Sequence, residues 1–226
     1  PAIFGIETYA CNYNEGKTLE DLLSVSKKWD RFASKNFSMP YQGYVLTPYY
    51  RSPENQHEVY WVGMSPNFEA QGTTQDEMRT KGAKLNEEFL EVLDCDMQGQ
   101  WAAMMVMSGG DSVPEEGTVS FQSCSMKEGA SMEQMMMADA KMNALAEKIG
   151  ITGGMLRWFP LGGQSSSFTG DYVQVTSNSS LAERGKNYDR AIASGLRQAN
   201  ASIYGELVEC QGGSTSLYVS VGGKEE

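Results

Sequence analysis

Residues 11–22 read CNYNEGKTLEDL, and residues 124–135 read CSMKEGASMEQM. Each begins with Cys, places Glu-Gly four and five positions later, and then enters an apolar run with helical spacing; the two stretches lie 113 positions apart. The correspondence extends well beyond them. Glu20 falls opposite Glu133, Lys28 opposite Lys141, Ala33 opposite Ala146 and Lys35 opposite Lys148. Leu22, Leu23, Trp29 and Phe32 face Met135, Met136, Met142 and Leu145 in the same alignment. Further on, GYVLTPYY from Gly43 matches GMLRWFPL from Gly154 in character, and YWVGMSPN from Tyr60 matches YVQVTSNS from Tyr172. The chain therefore reads as two copies of one unit, residues 1–107 and 118–226. They are joined by SGGDSVPEEG at 108–117, whose Gly, Ser, Pro and acidic residues suit an exposed linker.

Within each copy the pattern is strand, helix, strand, strand, helix, strand. AIFGIETYA and TVSFQSC are the first strands, and TLEDLLSVSKKWDRFASK has apolar residues at 22, 25, 29 and 32, the spacing of one helical face. YVLTPYY and EVYWVGM are β-rich runs on either side of the turn-like RSPENQ. The second helices are predicted over TTQDEMRTKGAKLNEEFLEVL and SLAERGKNYDRAIASGLRQA, and the last strands over WAAMMVM and SLYVSV. Four capping signatures mark the helix starts: Thr18 with Asp21, Thr74 with Glu77, Ser131 with Gln134, and Ser180 with Glu183. In the Glu-Gly pairs, Glu15-Gly16 and its repeat, glycine supplies the backbone freedom to turn into the helix, and the carboxylate suits a helix N-terminus.

This order resembles the ferredoxin-like β-α-β-β-α-β unit, and two in tandem resemble a single-chain version of the dimeric α+β barrel superfamily. The resemblance implies an α+β fold of two ferredoxin-like repeats whose antiparallel sheets face each other, with helices outside, as a pseudo-dimeric α+β barrel. EVYWVGM and WAAMMVM are apolar on both faces, as strands covered on each side should be. If the units are ferredoxin-like, the last strand runs antiparallel beside the first. Cys11 and Cys124 end first strands, and Cys95 and Cys210 precede last strands. Of the three possible connectivities, Cys11–Cys95 with Cys124–Cys210 alone keeps each bridge within one repeat. Bridges of this kind belong to oxidising compartments, so a periplasmic or secreted location is expected. Four reduced, buried thiols are the competing reading; a Cys₄ zinc site lacks the close-spaced pairs it would need. The sequence opens at Pro1 without Met, which fits removal of a signal peptide or of the initiator Met alone.

Charge narrows the partners. With 29 acidic and 18 basic residues the formal net charge is -11, which disfavours nucleic acid and anionic membrane surfaces. No apolar run approaches the roughly 20 residues of a membrane span. Self-association through the acidic surface or a strand edge stays open, as does a small organic ligand.

His57 is the only histidine, which excludes a multi-histidine metal site; no metal and no cofactor is expected. Several members of the superfamily bind or degrade haem, but nothing in this sequence matches a ligand motif. Met132, Met135, Met136 and Met142 cluster on one helix and could hold Cu(I) as thioethers, although their leucine and tryptophan counterparts in the first copy read as core. The candidate site is the barrel interior. Along GIETYA, Ile6 and Thr8 alternate with Glu7 and Tyr9, and in the second copy Phe121 alternates with Ser120 and Gln122. If the apolar set faces the helices, Glu7, Tyr9, Ser120 and Gln122 floor a polar cavity. Trp61, Trp101, Arg157, Trp158, Tyr172 and Gln174 come from neighbouring strands. Aromatic walls with a few polar groups suit a small organic molecule. A buried Glu beside Tyr suits proton transfer of the sort the superfamily's cofactor-independent monooxygenases, isomerases and cyclases require. Binding protein, enzyme and self-assembling module are the three functional readings.

Overall fold

The computed structural model describes residues 2–53, 55–110 and 114–224. The first half contains β1 (Ile3–Tyr13), α1 (Leu19–Asn36), β2 (Tyr41–Tyr50), β3 (Val59–Ser65), α2 (Phe68–Lys81), α3 (Ala83–Leu90) and β4 (Leu93–Met107). The second contains β5 (Glu116–Met126), α4 (Met132–Lys148), β6 (Gly154–Gly162), β7 (Tyr172–Asn178), α5 (Leu181–Ala193), α6 (Leu196–Tyr204) and β8 (Val208–Lys224). Part of the expected linker, residues 111–113, lies outside the described residues.

Eight antiparallel strands close into a barrel in the order β1-β3-β2-β8-β5-β7-β6-β4. The order gives two four-stranded sheets, β4-β1-β3-β2 and β8-β5-β7-β6, facing each other and hydrogen-bonded along both edges. At one seam β2 pairs with β8, from Tyr41 opposite Lys224 to Tyr50 opposite Thr215. At the other β4 pairs with β6, with Met104 opposite Arg157. Among the described residues, closure leaves the sheets no free edge.

The barrel core takes one buried side chain from every strand: Ile6, Leu46, Val62, Ala103, Val119, Trp158, Val175 and Tyr218. Outside the barrel, the first half packs Leu22, Val25, Trp29 and Ala33 of α1 against Tyr41, Val45 and Val59 of the sheet. The corresponding layer of the second half centres on Cys124, Met135 and Tyr172, and neither α5 nor α6 has a buried residue. The methionine stripe of α4 is thus core only in part: Met135 is buried, whereas Met136 is exposed.

Cys11 is bonded to Cys95 and Cys124 to Cys210. Each pair sits directly opposite in the β1–β4 or β5–β8 register, beside an irregularity in the ladder. Gly16 and Gly129 occupy the left-handed region at φ 74° and 80°, as the turn into α1 and α4 requires. Three of the expected caps are in place: Asp21 accepts from the Thr18 amide at 2.9 Å, Ser131 Oγ from Gln134, and Ser180 Oγ from Glu183. The fourth is not. Asn67 caps α2, accepting from the Ala70 amide at 2.8 Å, so the helix starts before Thr74. The Thr74 hydroxyl, inside the helix, donates back to the Ala70 carbonyl. The second helices also divide in two, at Gly82 in the first half and at Ser194-Gly195 in the second.

Candidate functional site

Between the sheet of the first half and its helices lies a cavity of about 840 Å³. Glu7 stands on its floor. The strand alternation turns Glu7, Tyr9 and Cys11 toward the helices and Ile6 and Thr8 into the barrel. Glu7 is only 5% exposed, and a carboxylate so buried requires hydrogen-bonding partners. It has three. Tyr41 Oη donates to Oε1 at 2.5 Å, Tyr9 Oη donates to Oε2 at 3.3 Å, and Gln75 Nε2 of α2 donates to Oε2. Behind these donors, Trp61 Nε1 donates to Tyr41 Oη at 3.1 Å and Gln98 Nε2 to Tyr9 Oη at 2.7 Å. The carboxyl group therefore sits at the centre of a connected polar network.

The walls are aromatic. Trp29 meets Trp61 edge-on, with ring centroids 4.8 Å apart, and Phe89 of α3 meets Trp61 at 5.6 Å. Two glycines make room for this cluster. Gly43 and Gly63 are directly opposite each other, and Gly63 is also opposite Glu7. A Cβ at Gly63 would lie 1.8 Å from Tyr41 Oη, and one at Gly43 would lie 2.8 Å from the Trp61 ring.

Burial raises the Glu7 pKa above 4.5, outweighing the three donors that favour its ionised form. Burial, and then the nearby Glu7 charge, pushes the Tyr9 and Tyr41 phenols well above their usual range. At neutral pH both phenols remain protonated donors, and Glu7 holds its proton more tightly than an exposed carboxyl group does. Among the described residues, Arg79 is the one basic residue lining the cavity, against the carboxyl groups of Glu7, Glu87 and Asp96, so the site disfavours anions.

The expected site divides between three places. Glu7, Tyr9 and Trp61 come together, but on the helix side of the sheet and not inside the barrel. Trp101 and Trp158 do face the barrel interior, where Trp101 Nε1 donates to Thr8 Oγ1 at 3.1 Å. Ser120, Gln122 and Arg157 lie on the outer face of the second half. There Ser120 bonds Thr215 at 2.8 Å and Gln122 is exposed. The reversal has a simple cause: eight strands share one enclosed apolar interior, so the apolar set of each turns inward and the mixed set meets the helices.

Arg157 and Glu7 are not in contact. Arg157, 1% exposed, forms a bidentate pair with Asp139 of α4, both bonds 2.6 Å, and Tyr204 Oη donates to the same carboxylate at 2.6 Å. Its guanidinium lies 5.4 Å from the Tyr172 ring centroid. The sequence did not single out Tyr41 or Gln75. The close pair Gly43 and Gly63, on adjoining β-rich runs, was the available sign that something large crosses the sheet there.

No protein-family model and no curated protein matches the chain. Solved structures do. A mutant chlorite dismutase from Candidatus Nitrospira defluvii superposes with TM-score 0.56 at 8% identity, covering 97% of this chain and 92% of the other. A heme-binding protein from Thermus thermophilus gives TM-score 0.54 at 8% identity over 95% and 90%. An anthrone oxidase-like protein gives 0.53 at 12% identity over 100% and 96%. At these identities the likeness is one of fold, that of the dimeric α+β barrel proteins.

Proposed function

We propose that this chain is an exported protein that binds a small, uncharged or cationic organic molecule in the helix-side cavity of its first half. The carrying observation is Glu7, a buried carboxyl group held by Tyr41, Tyr9 and Gln75 at the floor of an aromatic-walled cavity. Aromatic surface supplies the affinity and the polar floor the orientation. Export is supported by the two bridges, which oxidising compartments maintain.

A second reading, a cofactor-independent monooxygenase, isomerase or cyclase, is favoured by the raised Glu7 pKa. A carboxyl group poised above its ordinary value is a competent base toward a carbon acid, and Tyr41 and Tyr9 would steady the charge it exchanges. The heme named for the Thermus structure does not fit here through an imidazole. His57, the only histidine, bonds Asp96 at 2.7 Å in the loop between β2 and β3 and does not line this cavity.

The test is native mass spectrometry with metabolite extraction on protein from its own source, followed by titration of the recovered molecule into wild type, Glu7→Gln and Tyr9→Phe. Quenching of tryptophan fluorescence should report binding at Trp29 and Trp61, and Glu7→Gln should weaken it at least tenfold. Turnover lost in Glu7→Gln while binding persists would favour the enzyme. A recovered ligand whose affinity neither substitution alters would remove the site.

A further inference from the structure

The helix that supplies Gln75 to the Glu7 network has a counterpart in the second half that carries different chemistry. Asn67 caps α2 and Ser180 caps α5, 113 positions later. The same offset pairs Gln71 with Arg184, Gln75 with Tyr188 and, on the sheet below, Glu7 with Ser120. The first half thus places a carboxyl group between sheet and helix, whereas the second places a guanidinium. The charge at this position of the repeat is reversed.

Arg184 stands apart from the other arginines. Among the described residues, Arg79, Arg157 and Arg190 pair with carboxylates, and Arg31, Arg51 and Arg197 are exposed; Arg184 is half-buried and has no carboxylate partner. Two tyrosines hold it instead. Its guanidinium carbon lies 4.7 Å from the Tyr188 ring centroid and 5.5 Å from that of Tyr50, which comes from β2 across the seam with β8. Nε donates to Ser120 Oγ at 3.4 Å and Nη2 to Tyr188 Oη at 2.9 Å. Among the described residues, Nη1 has no acceptor, and the half-buried side chain keeps it within reach of solvent. Aromatic rings fix a guanidinium in place without neutralising it, so its charge remains for a ligand.

We propose that Arg184, Tyr188 and Tyr50 form a second ligand site, independent of the Glu7 cavity and opposite to it in charge preference, for a small organic carboxylate. The open edge of the guanidinium matches the paired oxygens of a carboxylate. Tyr188 Oη accepts from Nη2 and keeps its own proton to donate to the same anion. Apolar surface lies alongside. Tyr49, Tyr50 and Leu217 are exposed; Tyr50 is opposite Thr215, and Leu217 is two positions further along the same face of β8. An apolar body on the carboxylate covers that surface, and it is needed, because the net charge of -11 opposes the binding of an anion by charge alone.

The test uses benzoate and its neutral analogue benzamide, followed by isotope-edited spectra of the arginine Nε–H groups, with Arg184→Lys assigning the resonance. In wild type, benzoate should shift the Arg184 signal and bind about tenfold more tightly than benzamide, the worth of a charge-assisted hydrogen bond. Raising the salt concentration should weaken it. Arg184→Gln should lose the preference for benzoate, and Tyr188→Phe should weaken benzoate about fivefold. Arg184→Lys keeps the charge and loses the fork, so it should bind benzoate more weakly than wild type does and serves if Arg184→Gln folds poorly. An Arg184 signal that benzoate leaves unmoved would overturn the inference, as would equal affinity for benzoate and benzamide. Acetate binding as tightly as benzoate would overturn the assignment of an apolar body. Benzoate binding that moves the Trp61 indole signal and is lost in Glu7→Gln would also overturn it, and would place the ligand in the helix-side cavity of the first half.

Discussion

Tyr41 Oη donates to Glu7 Oε1 through the space that a side chain at position 63 would occupy: a Cβ there would lie 1.8 Å from the hydroxyl and 2.9 Å from Glu7 Cγ. The network around Glu7 thus depends on a residue with no side chain.

Gly63→Ala is accordingly expected to displace Tyr41 and cost about 1–3 kcal/mol, the range for overpacking a filled interior. Urea denaturation measures this. Tyr41→Phe should cost less in the Gly63→Ala background than in wild type, because the bond is already broken; equal costs would show the two positions to be uncoupled.

The pH dependence follows from the raised Glu7 pKa. The folded chain holds this proton to higher pH than the unfolded chain does. The stability Glu7 contributes is therefore complete below about 4.5, its unfolded value, and is lost as pH rises through the folded value. The stability difference between wild type and Glu7→Gln should change across that window and level off on either side. A difference independent of pH would mean that Glu7 does not titrate as described.

In the second half, Asp139→Ala leaves the Arg157 guanidinium buried with its charge uncompensated, and a loss of about 3–5 kcal/mol is expected. Asp139→Leu combined with Arg157→Met should be less damaging than Asp139→Ala alone, since it removes both charges and keeps the volume. Thermal unfolding of the variants tests the comparison; additive losses would refute it.

Each bridge closes a long loop, with sequence separations of 84 and 86. In the chain-entropy model such a loop is worth about 4–5 kcal/mol, and removal of a native bridge commonly costs about 2–5 kcal/mol. Paired Cys11→Ser and Cys95→Ser substitutions should lower stability within that range. Peptide mapping without reductant should recover Cys11 linked to Cys95 and Cys124 linked to Cys210.

Much of this architecture is legible in the sequence because it depends on local chemistry or on repetition. The spaced Cys-Glu-Gly stretches, the caps at Thr18, Ser131 and Ser180, and the strand-end cysteines each report a local requirement, and the stretches and the cysteine pairs each appear twice. Thr74 misleads because Thr-x-x-Glu can occur inside a helix already begun at Asn67. The facing of Glu7 was not legible: alternation separates Glu7 and Tyr9 from Ile6 and Thr8, but not which set a closed barrel will enclose. Gln75 reaches Glu7 across 68 positions of sequence, a contact set by how α2 rolls on the sheet.

The seam between β2 and β8 also shapes how the chain reaches its fold. On the ribosome, β2 is synthesised long before its partner, because Tyr41 pairs with Lys224. Contacts at that separation are closed late and slowly. The Cys11–Cys95 bridge needs only the first half and can lock that half covalently while β2 still presents an open edge. Until β8 arrives, the edge of β2 is open to pairing with a neighbouring chain, and the β2–β8 ladder is what covers it.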